Sequence, residues 1–470
     1  MRERQPRRDG RTRPQGARVG MTTGARRVAV IGGGIAGLAA AHAAAGAGAE
    51  VTLYERDRRL GGKLLTTPFA GHPGIDEGPD AFLARLPWGT GLAREVGLGD
   101  TLVSPAAGTA AVWWNELHRI PQGLLLGMPT DVLALARSRL ISWPGKLRAA
   151  TEPFRRRTPT GADSLGGYVR SRFGNEVHLR LVDPLVGSIY AADTDHFSLA
   201  AVAQIADLAT KHRSVLVAGR RMPAPAPNPG PVFLAPSGGM GSLAEATGAA
   251  AVARGATVRQ GTEVGSITAD GSRWRVDDEI HDAVVLACPA GAAASLLRHS
   301  ADDAASGLRR IPPADVAMVT LAVPADAWPE RLHHLSGYLV PKPMQRLVTA
   351  ASFGSQKWHH WQSPGTVVLR VSLGREGLPV LHLDDEQLLA AAIEEVGHHV
   401  GLTVEPTHAR VTRWPGAFPQ YRPHHAETVT GIERSLPAGL HLAGASYHGI
   451  GVPACINSGQ RAAAAAIATP

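Results

Sequence analysis

Residues 28–63, VAVIGGGIAGLAAAHAAAGAGAEVTLYERDRRLGGK, decide the fold. A short β-branched run ends in glycines, an alanine-rich helical stretch follows, and a second strand EVTLYE closes on Glu55. This is a compact βαβ unit. Gly32-x-Gly34-x-x-Gly37 stands between strand and helix, the context a dinucleotide fingerprint requires. Gly32 allows the tight turn, Gly34 lets backbone approach a diphosphate, and Gly37 lets helix and strand pack closely. The unpaired N–H groups of the helix start then face the anion, so Gly33, Ile35 and Ala36 belong to the same cradle. Glu55, 18 residues after Gly37, is placed to accept hydrogen bonds from an adenosine ribose. The carboxylate favours an unphosphorylated 2′-hydroxyl, although Arg56 follows it. Arg59 and the pair Gly61-Gly62 add a second phosphate-side loop, which suits a dinucleotide longer than NAD.

The closing stretch AGASYHGIGVPACINSGQRAAAAAI, residues 443–467, repeats the design of glycine turn and alanine-rich helix. Between the two ends lie a patterned segment at 86–220 that reads as mainly helical and a proline-spaced loop RRMPAPAPNPGP at 220–231. A hairpin signal follows at Asp270-Gly271, then the buried-strand pattern AVVLACP. Residues 312–415 mix strands (VAMVTLAV, TVVLRVSLG) with a helix near 384–400. The expectation is an α/β protein in which one Rossmann-like dinucleotide domain is assembled from discontinuous segments. These are residues 28–85, 226–298 and 413–470, with a mainly helical insertion at 86–225 and an α/β substrate domain at 299–412.

The net charge of +8 is concentrated in one place: residues 1–27 hold nine arginines against Glu3 and Asp9, which accounts for +7. The rest of the chain is nearly neutral, which removes the main support for a nucleic-acid partner. The arm itself reads as disordered, carries no secretory pattern, and makes Met21 a plausible start. Two cysteines, Cys288 and Cys455, make no disulfide framework and favour a reducing cytoplasm. No long apolar run suggests a membrane span. GLLLGMPTDVLALARSRLISW, residues 123–143, is apolar with arginines and could rest on a membrane surface, though core packing is the simpler reading. The doubled histidines at 333–334, 359–360, 398–399 and 424–425 fit no metal grid and read as surface residues. No hydrolase order of Ser, His and Asp is present.

The chain resembles the flavin-dependent porphyrinogen oxidases, within the amine oxidase and phytoene desaturase superfamily, from about residue 28 to 467. VAVIGGGIAGLAAA and YERDRRLGGK mark the superfamily. DEGPDAFL, RIPQGLLLGMPT, VDPLVGSIYAAD, TRWPGAFPQY and LAGASYHGIGVPACINSG resemble the bacterial soluble branch that makes coproporphyrin or protoporphyrin. The resemblance implies non-covalent FAD, with Gly32–Gly37 at the diphosphate, Glu55 at the ribose, and Gly62 and Lys63 toward the flavin. Glu77, Gly78, Pro79 and Asp80 would pass along the isoalloxazine, and Val264, in the β-hairpin, would meet the adenine through its backbone. Trp414 and the turn Ile450, Gly451, Val452 would complete the pocket, with the last helix aimed at the flavin. It further implies a porphyrinogen substrate, O2 as acceptor with H2O2 as product, and no obvious catalytic dyad, because the cofactor carries the hard chemistry. Arg85 is the candidate for a substrate propionate. Leu86 follows it where some relatives carry lysine. An amine or carotenoid flavoenzyme is a rival reading, but scarce aromatics disfavour an amine cage and the composition is polar for a carotenoid enzyme. A porphyrin-binding flavoprotein without activity is a second rival.

Overall fold

The computed structural model describes residues 25–106, 108–121, 123–221 and 230–468. Most of the basic arm and of the proline-spaced loop therefore lie outside the described residues. A five-stranded sheet organises the molecule, in the order Thr257–Gln260, Glu50–Glu55, Arg27–Ile31, Ala283–Leu286, Leu440–Leu442, with every pairing parallel. Its central strands are buried on both faces, which is why VAVI and AVVL read as continuous apolar runs. The sheet thus draws its strands from three separated stretches of chain. Arg27, read as the end of the basic arm, instead opens the first strand, its N–H donating to Asp282 at 2.8 Å.

Both alanine-rich helices lie against this sheet. Helix Ile35–Gly46 crosses the closing helix Val452–Ala468 so closely that a Cβ on Gly459 would stand 2.0 Å from the Ala36 carbonyl oxygen. Larger side chains at Ala36, Ala40 or Gly459 would push the helices apart, so the two alanine-rich segments are one packing solution.

The second layer is a seven-stranded sheet, in the order His408–Pro419, Pro313–Pro324, Thr366–Leu373, Val348–Phe353, Leu335–Leu339, Thr109–Trp114, Glu116–Arg119. Helix Asp385–Val400 packs on it, started by a capping box of Asp384 and Gln387. The expectation that 86–220 is mainly helical holds for Pro87–Glu95 and for the part after 131, but not for the stretch between. Leu102–Val103, Thr109–Trp114, Glu116–Arg119, Leu124–Leu125 and Met128–Pro129 are strands. TAAVWW pairs in parallel with Leu335–Leu339, a distant partner that overrides local pattern.

From 132 to 221 the chain is mainly helical, around a core that includes Leu165, Val169, Phe173, Leu181 and Phe197. A π-helical stretch, His178–Gly187, carries Pro184 inside it. Two buried ion pairs fix this region. Glu152 and Arg172 form one, with Ser214 Oγ and the Val215 and Leu216 N–H groups donating to the carboxylate. Asp183 and Arg375 form the other, joining the π-helical stretch to the segment after strand Thr366–Leu373.

Two of the histidines expected at the surface are buried, His399 and His425. The His425 ring stacks on Tyr421 at 3.9 Å, and its Nε2 lies 3.2 Å from the Tyr447 carbonyl oxygen. His399 Nδ1 lies 3.1 Å from the Tyr338 hydroxyl. Burial pushes the pKa of each down to about 4. A histidine held neutral in the fold contributes stability that is present above its unfolded pKa of roughly 6.5 and lost as pH falls toward 4, on the order of 3 kcal/mol for each. Acidification from pH 7 to 4.5 should therefore lower the urea midpoint steeply. His425→Phe, which keeps the ring stack, should lose less over the same interval. Equal losses in the two proteins would show that His425 is not responsible.

Candidate functional site

Two glycine loops meet at the carboxyl end of the parallel sheet. Gly61 N–H donates to the Gly33 carbonyl at 2.8 Å, and a Cβ on Gly62 would touch Gly34 Cα at 3.3 Å. Gly32 has φ +106°, and a Cβ there would stand 2.8 Å from the Ala287 carbonyl oxygen, so this turn requires glycine. A Cβ on Gly37 would lie 1.9 Å from the Gly32 carbonyl oxygen, which fixes how closely helix and strand approach. Gly34 differs: a Cβ would meet nothing within 4 Å, so the open face of the loop lies there, at the start of helix Ile35–Gly46. An anionic diphosphate fits that opening, facing the first-turn N–H groups beside Ile35 and Ala36.

Glu55 ends its strand almost fully buried and braces both sides of the cleft, accepting from Gly33 N–H at 2.6 Å and Asp57 N–H at 2.8 Å. Arg59 donates to the Gly62 carbonyl at 2.7 Å and thereby stiffens the second glycine loop. Arg56 points outward, 3.7 Å from Asp57. Val264 lies in the extended segment between strands Thr257–Gln260 and Ile267–Asp270, which corrects its expected place within the hairpin. Thr262 N–H donates to the Glu55 carbonyl, and Asp277 accepts from Gly265 and Ser266 N–H, so that segment is drawn alongside Glu55 before the hairpin begins.

The far wall is built from Glu77 to Asp80. Trp414 Nε1 donates to the Glu77 carbonyl at 2.9 Å, and a Cβ on Gly78 would stand 2.1 Å from the Lys63 carbonyl oxygen. Lys63, the 77–78 backbone and Trp414 are thus brought together from three parts of the chain. Burial holds the Lys63 ammonium below the usual lysine range, with Cys455 of the closing helix beside it. Val452 opens that helix, Cys455 N–H donates to the Gly451 carbonyl at 3.0 Å, and Ile450 packs against the helical core.

The Glu77 carboxylate accepts from Thr67 Oγ1 at 2.5 Å and Thr412 Oγ1 at 2.6 Å, with Arg410 at 3.5 Å, so its side chain serves the frame while its backbone faces Trp414. Asp76 accepts from Met240 N–H at 2.8 Å and so caps helix Met240–Ala253, and burial pushes its pKa up to about 6.

Asp80 is tied more firmly than the sequence suggests. Lys357 Nζ donates to both its oxygens at 2.9 and 2.8 Å, Trp358 Nε1 donates at 3.2 Å, and Arg370 lies 3.4 Å away. Burial alone would raise its pKa, but Lys357 and Arg370 outweigh burial and hold the carboxyl well below the usual range. Arg370 also donates to the Gly78 carbonyl. Sequence reading missed Lys357 and Arg370 because Lys357 is 277 residues from its partner and no local motif marks either one. Arg85 is exposed and has no hydrogen-bond or ion-pair partner among the described residues. None of the described His, Cys, Asp and Glu residues cluster in a way that could hold a metal.

A parallel sheet with a paired glycine cradle, a buried strand-end carboxylate and a tryptophan-backed wall is the arrangement of a dinucleotide-dependent oxidoreductase. Residues 35–467 match the family described as flavin containing amine oxidoreductase, and the chain belongs to that family. It is similar to coproporphyrinogen III oxidase of Bacillus subtilis, with 31% identity over 95% of this chain and 99% of that one. It is 35% identical to coproporphyrinogen III oxidase of Mycobacterium tuberculosis, over 94% of this chain and 97% of the relative. A solved structure from an Exiguobacterium species, provisionally named a protoporphyrinogen oxidase, superposes with a TM-score of 0.84 at 29% identity, covering 94% of this chain and 99% of that one. The protein is a flavin-dependent oxidoreductase.

Glu55→Ala should weaken flavin binding. A charged hydrogen-bond acceptor contributes roughly 1.5–3 kcal/mol, on the order of 10- to 100-fold in affinity. The variant should purify partly as apoprotein and recover with added flavin. Unchanged occupancy would mean that the strand-end acid only braces the loop.

Proposed function

We propose that this porphyrinogen oxidase of haem biosynthesis removes six electrons from coproporphyrinogen III to give coproporphyrin III, with non-covalent FAD as cofactor. Three rounds, each transferring two hydrogens in all to O2, would yield three H2O2. The observation that carries this reading is the near full-length similarity to coproporphyrinogen III oxidases. The glycine cradle and the Trp414 wall fit a bound flavin. FAD, when bound, would supply the hydride acceptor.

The chain's residues position and shield it. Gly32, Gly33, Gly34, Ile35, Ala36 and Gly37 receive the diphosphate, with Arg59 and Gly62 closing the loop beside it and Arg56 at the rim. Glu55 holds the ribose, and the Val264 backbone meets the adenine. Lys63, the Glu77–Pro79 backbone and Trp414 line the ring, with Asp80 fixed behind them by Lys357. The turn Ile450–Val452 aims the closing helix's partial positive charge at the flavin, which favours the reduced, anionic cofactor. Cys455 is buried with its thiol toward the Gly449 and Ile450 carbonyls, a place that suits a packed side chain rather than a flavin linkage. Exposed and without a partner among the described residues, Arg85 is available for a propionate. The setting proposed is the cytoplasm, and no helix among the described residues is long and apolar enough to cross a membrane.

Protoporphyrinogen IX is the alternative substrate, favoured by the similarity to the Exiguobacterium structure. It carries two propionates where coproporphyrinogen carries four. Each desolvated charge-assisted contact is worth about 1.5–3 kcal/mol, so coproporphyrinogen should be preferred in kcat/KM by roughly tenfold or more. Salt should shrink the preference where the contacts are exposed. Competition kinetics at low and moderate salt measure both effects. Preference for protoporphyrinogen would overturn the substrate assignment and leave the flavin site standing.

A further inference from the structure

The wall at Glu77–Asp80 is backed by more positive charge than its geometry needs. Two carboxylates stand there, Glu77 and Asp80. Arg410 lies 3.5 Å from Glu77, while Arg370 and Lys357 both lie against Asp80. Arg370 alone would neutralise Asp80, and because it also donates to the Gly78 carbonyl it grips the wall on both sides of Pro79. Trp358 Nε1 supplies a further donor to the same carboxylate at 3.2 Å. Lys357 Nζ nevertheless donates to both Asp80 oxygens, at 2.9 and 2.8 Å. An acid already fixed by a guanidinium and an indole gains little in position from an ammonium. What the ammonium adds is charge.

The neighbouring titratable groups do not cancel that charge. Asp76, the next acid, accepts from Thr66 Oγ1 and Met240 N–H, so its charge is set against the N-terminus of helix Met240–Ala253. His360, which senses Asp80, is held below the usual histidine range by burial and is neutral at pH 7. Lys63, whose carbonyl packs against Gly78, has no carboxylate partner among the described residues. The frame therefore sets three cations, Arg410, Arg370 and Lys357, against two carboxylates. The side chains of Arg370, Asp80 and Lys357 are 5%, 14% and 22% exposed, so solvent ions screen this surplus only weakly. Positive charge close to a flavin favours its reduced, anionic form, and such charge is one of the levers by which a protein tunes the cofactor.

We propose that Lys357 raises the reduction potential of the bound flavin by holding a surplus positive charge behind the Glu77–Asp80 wall, a role that rests on the flavin placement proposed above. Lys357 acts through Asp80 and is a positioning residue. The test is a reductive titration of the flavin-loaded protein against a reference dye, with no porphyrinogen present. It compares wild type, Lys357→Gln, Lys357→Arg, Asp80→Asn and the double variant Asp80→Asn, Lys357→Gln. Glutamine keeps a hydrogen bond to Asp80 without the charge, and Arg370 stays with the acid, so Lys357→Gln should fold; urea unfolding of each protein checks this. Lys357→Gln should lower the ratio of affinities for reduced over oxidised flavin by on the order of tenfold, a fall of about 30 mV for a two-electron couple. Asp80→Asn should shift the potential the other way, the double variant should return close to wild type, and Lys357→Arg should match wild type. Opposite shifts that cancel are the mark of charge, which a clamp that only holds the wall would not produce. Shifts of one sign in Lys357→Gln and Asp80→Asn would overturn the role of Lys357. Equal potentials in a fully loaded set would overturn that role alone, whereas a protein that takes up no flavin would overturn it together with the flavin reading.

Discussion

Gly34→Val should give a folded protein that no longer holds flavin, whereas Gly37→Val should not give a stable protein. The two positions sit three residues apart in one motif but meet different neighbours. Gly34 has φ −70° and ψ 173°, an extended conformation open to any residue, and a Cβ there touches nothing. Valine is therefore accommodated, and the apoprotein's stability should change by about 0.5 kcal/mol or less. Its methyls would fill the space the diphosphate needs, and flavin affinity should fall on the order of 100-fold or more. At Gly37 the added carbon would stand 1.9 Å from the Gly32 carbonyl oxygen and 3.1 Å from its carbon. Helix and strand must separate, at a cost of roughly 3 kcal/mol or more. Thermal unfolding of both apoproteins, with a flavin titration of each, checks the pair. A Gly34→Val protein that binds flavin normally would place the diphosphate elsewhere.

Asp183→Ala should be the most destabilising of the charge-removing variants. Arg375 lies against Asp183 with contacts of 3.0 and 2.9 Å, Thr194 Oγ1 donates at 2.7 Å, and both charged side chains are buried. Removing the acid leaves a guanidinium in the interior with no carboxylate, which costs about 3–5 kcal/mol. Stability should fall by that amount in urea unfolding monitored at neutral pH. The double variant Asp183→Leu, Arg375→Met removes both charges and should recover much of the loss, because the desolvation cost goes with them. A single variant within about 1 kcal/mol of wild type would show that water reaches this contact.

What could be read from the sequence divides along physical lines. The sheet strands, the glycine loops and Glu55 were legible because their determinants are local: a glycine demanded by a turn, an acid at a strand end, an apolar run buried on two faces. Alanine-rich composition at both ends was legible as a pattern, yet its cause was not. The Gly459–Ala36 contact exists only when residues from opposite ends of the chain cross. Thr109–Trp114 was misjudged for the same reason, since its strand character comes from Leu335–Leu339. His399 and His425 looked like surface residues because burial of a histidine depends on distant rings, Tyr338 and Tyr421. Val264 was displaced by a few residues, because the Glu55 backbone carbonyl and the Asp277 carboxylate, not the turn signal, decide where the hairpin begins. The Asp80 clamp was invisible for want of any spacing rule that links it to Lys357.

The most direct test mixes the flavin-loaded protein with coproporphyrinogen III under anaerobic conditions and then admits oxygen. The visible flavin absorbance should fall as far as the bound flavin allows, and oxygen should then restore it while porphyrin fluorescence and H2O2 rise together. Flavin that stays oxidised in the presence of coproporphyrinogen, in a protein shown to be fully loaded and folded, would contradict the account.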